Sequence, residues 1–169
     1  MAILSLLELL GLSDSADNEI MQLDFAFLAQ YADYVTDGRM AIFGAGIDGV
    51  ESSVVPFQAH PMCLVAKFLI AEEDAARSHF YRIEVIGPNG SRKLMLEDQA
   101  LNTAVEPRGR YPGGSNLIVN LNINFMNIGL YNLCLMLDGE DVKQLPINVS
   151  HIPSLETLAK QGEEATNGG

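Results

Sequence analysis

Hydrophobic and polar residues alternate most clearly near the end of the chain, between Gly129 and Val149. Every second residue of 131–137 is apolar, the pattern stops at Asp138–Asp141, and it resumes at every second residue of 145–149. A period of two on both sides of a Gly-containing turn predicts a β-hairpin. Because its first strand is also apolar on the other face, we expect the hairpin to lie inside a sheet that a second layer covers.

The same period of two predicts further strands earlier in the chain. The clearest alternations cover residues 21–27, 62–70, 81–85 and 117–125, and turn dipeptides such as Asp37-Gly38 and Asn89-Gly90 stand between strands. Residues 97–115 are rich in Gly and Pro, show no clean period, and are predicted to form a long connection between sheets. About eight or nine short strands separated by turns predict an all-β fold, an antiparallel β-sandwich.

The alternations also predict which side chains are buried. In the first strand we expect Met21, Leu23, Phe25 and Phe27 to share one face. Leu121 and Leu133 lie in the middle of the clearest alternations and are predicted core residues. In the strand of Leu121, the polar positions at 120 and 122 are predicted to face outward.

Residues 25–48, FAFLAQYADYVTDGRMAIFGAGID, resemble a family of small, uncharacterised bacterial proteins. The positions that carry the resemblance are Ala32, Asp33, Tyr34, Gly38, Arg39, Gly44, Gly46 and Asp48. The resemblance covers roughly residues 20–150. It implies a compact β-sandwich of immunoglobulin-like or C2-like shape and implies no assigned activity.

The first residues of the chain follow a different pattern. Residues 1–12 contain Ser5 and Glu8 as their only polar side chains, which predicts an apolar helix, and residues 13–19 form an acidic linker. We expect this helix to dock on a protein surface, which is a partner, a second copy or its own domain. The predicted interaction residues are Ile3, Leu4, Leu6, Leu7, Leu9 and Leu10. The predicted organisation is therefore a helix and linker (1–19), a β-sandwich domain (20–152) and a flexible tail (153–169).

Composition narrows the classes of partner. The chain has 22 acidic and 10 basic residues and a formal charge of −12, which repels phosphate backbones and makes nucleic acid an unexpected partner. Residues 1–12 carry no Lys or Arg and are too short to span a bilayer, so we expect neither a secretory signal nor a membrane span, and a cytoplasmic location. Cys63 and Cys134 lie in apolar runs, which favours buried thiols, with a single disulfide as the alternative.

No local motif predicts a reaction centre. His60, His79 and His151 are scattered without metal-ligand spacing, and His60 and His79 are expected to face solvent. A nucleophile elbow and a phosphate-binding glycine loop are absent from the sequence. We therefore predict no catalytic residue and no cofactor. The alternative is an enzyme whose residues converge from distant loops.

Two weaker sites follow from residue type. C2-like sandwiches bind Ca²⁺ through acidic loops, because hard cations prefer oxygen ligands. The acidic candidates are Asp33, Asp37, Asp48, Glu72, Glu73, Asp74, Asp138, Glu140 and Asp141. The Asn-rich face of residues 116–124 could hydrogen-bond sugar hydroxyls, but it lacks aromatic rings, so we interpret it as a solvated face.

The sequence thus favours a non-enzymatic protein-interaction module that binds a partner partly through its N-terminal helix. A subunit of a homo-oligomeric assembly and a Ca²⁺-dependent C2-like binding domain are the alternatives.

Overall fold

A computed structural model describes residues 21–36, 39–59, 61–70, 77–103 and 113–153. These residues form eleven strands. The strands are β1 (Met21–Tyr34), β2 (Met40–Ala45), β3 (Gly49–Ser52), β4 (Phe57–Gln58), β5 (Met62–Ile70), β6 (His79–Ile86), β7 (Arg92–Leu101), β8 (Gly113–Leu121), β9 (Asn124–Phe125), β10 (Gly129–Leu137) and β11 (Glu140–His151). The predicted N-terminal helix and the tail after residue 153 lie outside the described residues.

The strands form two main sheets and one small one. The four-stranded sheet has the order β2-β1-β5-β8, and the five-stranded sheet has the order β3-β11-β10-β6-β7. β4 and β9 pair separately. The predicted all-β fold is confirmed. A wholly antiparallel arrangement was wrong, because β3 pairs in parallel with β11. The strand count was too low, because short strands such as β4 and β9 are too brief to show a period.

Both main sheets contribute to one hydrophobic core. Its fully buried members include Leu28, Leu64 and Phe68 from the four-stranded sheet and Ile83, Leu133 and Ile147 from the five-stranded sheet. Leu121 is also buried, so both predicted core leucines are confirmed, while Asn120 and Asn122 are exposed as predicted. This single cluster buries apolar side chains from both sheets.

The β10–β11 hairpin has the predicted form. Leu137 pairs with Glu140 across a two-residue turn in which Asp138 and Gly139 have φ values of 50° and 89°. Positive φ at both central residues suits the right-handed twist of the flanking strands, and Asp-Gly is a preferred sequence for it.

The predicted face of β1 was wrong for two residues. A bulge between Leu23 and Phe25 shifts the register against β5, so Met21 and Leu23 pack on the main core. Phe25 and Phe27 instead pack on a second cluster, on the outer face of the sheet. One extra residue in a strand reverses the face of every residue that follows it.

The predicted long connection was also wrong at both ends. β7 continues to Leu101 and β8 begins at Gly113, so the strands occupy part of the range 97–115. β7 pairs with β6 and β8 pairs with β5, and this pairing forms strands where the local sequence shows no period.

Candidate interaction surface

β1 bends back over the outer face of the four-stranded sheet. In this sheet, Phe25 pairs with Lys67, and Lys67 pairs with Asn116 on β8. A straight strand would place Tyr34 roughly 30 Å along the sheet from Phe25. The Tyr34 hydroxyl nevertheless donates a hydrogen bond of 2.8 Å to the carbonyl oxygen of Asn116. The end of β1, and β2 with it, therefore lies across the sheet as a folded-back hairpin.

A second, smaller hydrophobic cluster lies beneath this hairpin. Ala32 from the hairpin is buried together with Ala29, Cys63 and Val65 of the sheet. The Cys63 thiol donates to Oδ1 of Asn120 at 3.0 Å. Small side chains at positions 29 and 32 allow the hairpin to approach the sheet closely, so this cluster fixes the position of the hairpin.

The opposite face of the hairpin is open to solvent and carries two aromatic rings. Tyr31 pairs with Phe43 across the hairpin, and the two residues are 55% and 69% exposed. Asp33, two residues from Tyr31, accepts hydrogen bonds from the Tyr31 hydroxyl at 3.0 Å and from the Tyr34 amide at 2.8 Å. The hydrogen bond to Asp33 and its negative charge raise the pKa of the Tyr31 phenol. We call this face of Tyr31, Asp33, Ala41 and Phe43 the hairpin face.

The backbone at the base of the hairpin requires glycine. Gly44 has φ 62°, and a Cβ there would lie 2.7 Å from Oε1 of Gln30. The register of β1 against β2 is the same on both sides of this position, since Tyr31 pairs with Phe43 and Ala29 pairs with Ala45. Gly44 thus allows the backbone to take a positive φ close to Gln30 without a change of register.

A shallow cleft of 270 Å³ opens beside the base of the hairpin. It is lined mainly by apolar residues, with Gln30 and Glu51 as its polar side chains. Among the described residues that line the cleft, one carboxylate and one amide do not form an acid–base pair. A smaller pocket of 80 Å³ near Tyr131 contains Lys93 as its only charged side chain.

His79 is buried, and the expectation that it faces solvent was wrong. Its side chain is on the inward face of β6, in step with Ile83, and the residue is 5% exposed. Nδ1 lies 2.7 Å from Oδ2 of Asp138, and the Phe80 amide donates to Oδ1 of the same carboxylate at 2.9 Å. Nε2 of His79 is buried without a hydrogen-bond partner. Extending the alternation of residues 81–85 back by two positions would have predicted this burial.

The acidic candidates do not converge in the part of the chain that the structure describes. No group of three or more His, Cys, Asp or Glu side chains there could hold a metal ion. Asp33 binds two tyrosines, Asp138 binds His79, and Asp141 lies 3.5 Å from the Gln144 amide. Asp37, Glu72, Glu73 and Asp74 lie outside the described residues, as do His60 and the predicted interaction residues Ile3, Leu4, Leu6, Leu7, Leu9 and Leu10.

The Asn-rich face of β8 belongs to the outer face of the four-stranded sheet. That face does carry aromatic rings, because Phe25 and Phe27 stack on it with ring centroids 5.5 Å apart. The expected solvated face is confirmed for Asn120, Asn122 and Asn124, which are exposed, while the two rings on the same face of the sheet come from the neighbouring β1. Both rings are only partly exposed, which leaves the hairpin face as the more open aromatic surface.

A second exposed apolar group lies at the start of β10. Met126, Ile128 and Leu130 are 61%, 48% and 52% exposed. The hairpin face adjoins β2, which is an edge strand of the four-stranded sheet. The second apolar group adjoins no such edge, because β10 is paired on both sides. Among the described residues we therefore take the hairpin face as the candidate interaction surface.

The fold and this surface define an all-β protein with two main sheets around one core and an exposed aromatic hairpin. The chain belongs to a family of unknown function, because the model described as "Family of unknown function (DUF6941)" matches residues 24–150. This confirms the expected membership of an uncharacterised family. A search of curated proteins found no match.

One similar solved structure is that of Pseudomonas fluorescens alkylpurine DNA glycosylase AlkC bound to DNA containing an abasic site analog, with 9% identity and a TM-score of 0.42. The match covers 85% of this chain and 33% of the glycosylase chain. Within the described residues, no helix is long and apolar enough to cross a membrane.

Proposed function

We propose that this protein is a non-enzymatic interaction module, built on a β-sandwich of immunoglobulin-like or C2-like type, that binds another protein chain through the hairpin face. The observation that carries the proposal is the cross-strand pair of Tyr31 and Phe43, exposed on a hairpin that is itself anchored to the sheet. Tyrosine and other aromatic residues dominate the energetics of many protein interfaces. Burial of Phe43 alone would contribute about 1.5–3 kcal/mol to binding.

The anchoring of the hairpin supports this proposal as much as its exposure does. Ala32 is buried on the sheet, and Tyr34 bonds the backbone of β8, so the aromatic face is held in place before a partner arrives. A preorganised surface loses less conformational entropy when it binds. Among the described residues, each of the two clefts is lined by one charged side chain, and we take this as support for binding rather than catalysis.

Site-specific photo-crosslinking in the native host tests the proposal. Phe43 is replaced by the photoreactive residue p-benzoylphenylalanine in the full chain, and the adducts are identified by mass. We expect a discrete protein adduct from position 43. Lys143, exposed on β11 in the other sheet, is the control position and should give none. Equal labelling from both positions, or no adduct from position 43, would reject the hairpin face.

The same crosslinking experiment tests the remaining candidate surfaces. Leu130 as the crosslinking position examines the second apolar group, and a discrete adduct there instead of at Phe43 would move the interface. Deletion of residues 1–12 examines the proposal that the N-terminal segment contributes to partner binding. We expect the deletion to weaken the adduct from position 43 without abolishing it. The expected location of the protein, the cytoplasm, remains part of this proposal.

A further inference from the structure

The edge strands of the two main sheets differ in how they are protected. β7 carries several charged side chains, and β3 is only four residues long and includes Glu51. β8 lies beneath the hairpin, and Tyr34 already bonds its Asn116 carbonyl. Charges, short length and covering segments are the usual means of protecting a sheet edge. β2, with the sequence MAIFGA, carries no charged side chain within its six residues and is exposed along most of its length, and Arg39 directly precedes it.

The register of the hairpin shows which backbone groups of β2 point outward. The Val35 amide donates to the Arg39 carbonyl at 2.8 Å, so these two residues form a hydrogen-bonded pair. Such pairs alternate with non-hydrogen-bonded pairs along an antiparallel ladder. Met40, opposite Tyr34, and Ile42, opposite Ala32, are therefore in non-hydrogen-bonded pairs. Their N–H and C=O groups point away from β1, where no strand among the described residues pairs with them.

We propose that β2 pairs antiparallel with β2 of a second copy of this chain, about a two-fold axis that passes beside Ala41. This inference rests on the proposed function, because it names the chain that the hairpin binds and places the contact at the β2 edge, beside the hairpin face. In this register, Met40 lies opposite Ile42 of the second copy, and Ile42 lies opposite its Met40. Each pair exchanges two backbone hydrogen bonds, so the outward groups of both residues are satisfied. Two four-stranded sheets then join into one continuous sheet.

The side chains of β2 suit this self-pairing. Ala41 lies opposite itself across the axis, in a non-hydrogen-bonded pair whose Cα atoms approach to about 4.5 Å, where a small side chain fits. Phe43 then lies opposite position 39 of the second copy, at the end of the paired segment. The outward N–H and C=O groups of Met40 and Ile42 lie symmetrically about Ala41. The edge of β2 is therefore complementary to the same edge of a second copy, which favours self-pairing over pairing with an unrelated strand.

The net charge predicts how the affinity of the dimer depends on salt. Each copy carries a formal charge of −12, so two copies repel each other at low ionic strength. Added salt screens this repulsion and leaves backbone pairing and apolar contact in place. The dimer should therefore become tighter as salt rises from about 0.02 to 0.5 M, whereas an interface held together by opposite charges would weaken.

Sedimentation equilibrium on the full chain tests the proposal. We expect a concentration-dependent mass that rises from 18.4 kDa toward twice that value. Ala41→Lys places two like charges opposite each other on the axis and should weaken association about ten-fold or more. Ala45→Lys is the matched control, because Ala45 is an exposed alanine of the same strand outside the paired segment, and it should leave the mass curve unchanged. Circular dichroism confirms that both variants are folded.

Disulfide trapping gives an independent measurement. Ala41→Cys should form an intermolecular disulfide rapidly under mild oxidation, because facing non-hydrogen-bonded residues are within bonding distance. Ala45→Cys is the control and should cross-link at least about ten-fold more slowly. The native thiols of Cys63 and Cys134 are buried and contribute little background. A monomeric wild-type chain at all concentrations, or equal cross-linking at positions 41 and 45, overturns the inference.

The outcomes separate this inference from the proposed function. If Phe43 crosslinks to a different protein while the purified chain stays monomeric, the interaction module stands and the self-pairing fails. If position 43 yields no adduct of any kind, both fail. An adduct at twice the mass of the chain, together with the loss caused by Ala41→Lys, supports both.

Discussion

Asp138 joins the β10–β11 turn to the start of β6 and is the best position at which to test the energetics of the fold. Its carboxylate accepts from Nδ1 of His79 and from the Phe80 amide, at 2.7 and 2.9 Å. Its own amide donates to the Phe80 carbonyl at 2.8 Å. Because an ionised carboxylate can only accept, Nδ1 carries the proton. Asp138 also has φ 50°, a conformation that Asp and Asn tolerate better than Ala.

The loss on Asp138→Ala can be divided into two parts. Removing the carboxylate leaves the buried Nδ1 of His79 without an acceptor, which costs about 1–3 kcal/mol, and the positive φ adds about 1 kcal/mol. Since the Asp138 side chain is 45% exposed, the lower half of the first range applies, and with the cost of the positive φ we expect a total of about 2–3 kcal/mol. Asp138→Gly keeps the conformation and should cost about 2 kcal/mol. Asp138→Asn keeps the conformation and one acceptor and should cost about 1 kcal/mol.

Urea unfolding at neutral pH, followed by circular dichroism, measures these differences. Glu140→Ala is the control, because Glu140 is exposed in the same hairpin, and it should change the free energy of unfolding by less than about 0.5 kcal/mol. The decisive result is the order of stability: wild type, Asn, Gly, Ala. If Asp138→Gly and Asp138→Ala are both within about 0.5 kcal/mol of wild type, the carboxylate does not hold β6 and the reasoning is refuted.

Three further predictions concern glycine, thiols and metal. In urea unfolding, Gly129→Ala should cost about 2 kcal/mol or more, because φ is 131° and the new Cβ would lie 2.9 Å from Pro88. Gly90→Ala is the control and should cost about 1 kcal/mol, because the space around Gly90 is open. Both native thiols should react with Ellman's reagent only as the protein unfolds, because both are buried and burial raises the pKa of Cys134; fast reaction of the folded protein would contradict this. Millimolar Ca²⁺ or chelator should shift the melting temperature by less than about 1 °C, since a bound ligand at 100 times its dissociation constant would add about 2.7 kcal/mol.

The sequence predicts the parts of this fold that depend on local pattern. The β10–β11 hairpin needs only a period of two and an Asp-Gly turn, and both are visible along the chain. The burial of Leu121 and Leu133 follows from the same period. The short strand β3 has no such period, because it owes its order to parallel pairing with β11, about a hundred residues away in sequence. Long-range pairing of this kind is beyond a local pattern.

The candidate surface was not visible in the sequence, and a single bulge in β1 shows why. Alternation assigns Phe25 to the face of Leu23, but the extra residue between them sends Phe25 and Phe27 to the outer face. The strand then turns back, so that Ala32 covers that face and Tyr34 reaches β8. The bulge and the bend of β1 both depend on contacts with strands that are distant in sequence. The sequence of β1 alone shows only one continuous alternation.

The bend also explains why an uncharged strand stands at a sheet edge. Because the hairpin folds over the sheet, the inner face of β2 is partly covered. Ile42 is therefore only 38% exposed. The outward groups of Met40 and Ile42 lie at the rim of this fold, where Lys or Glu would normally prevent pairing. A strand whose sequence is MAIFGA leaves its edge ready to pair. If Ala41→Lys leaves both the monomer fold and the association unchanged, the edge has no such role, and its lack of charge would have to serve the packing of the hairpin alone.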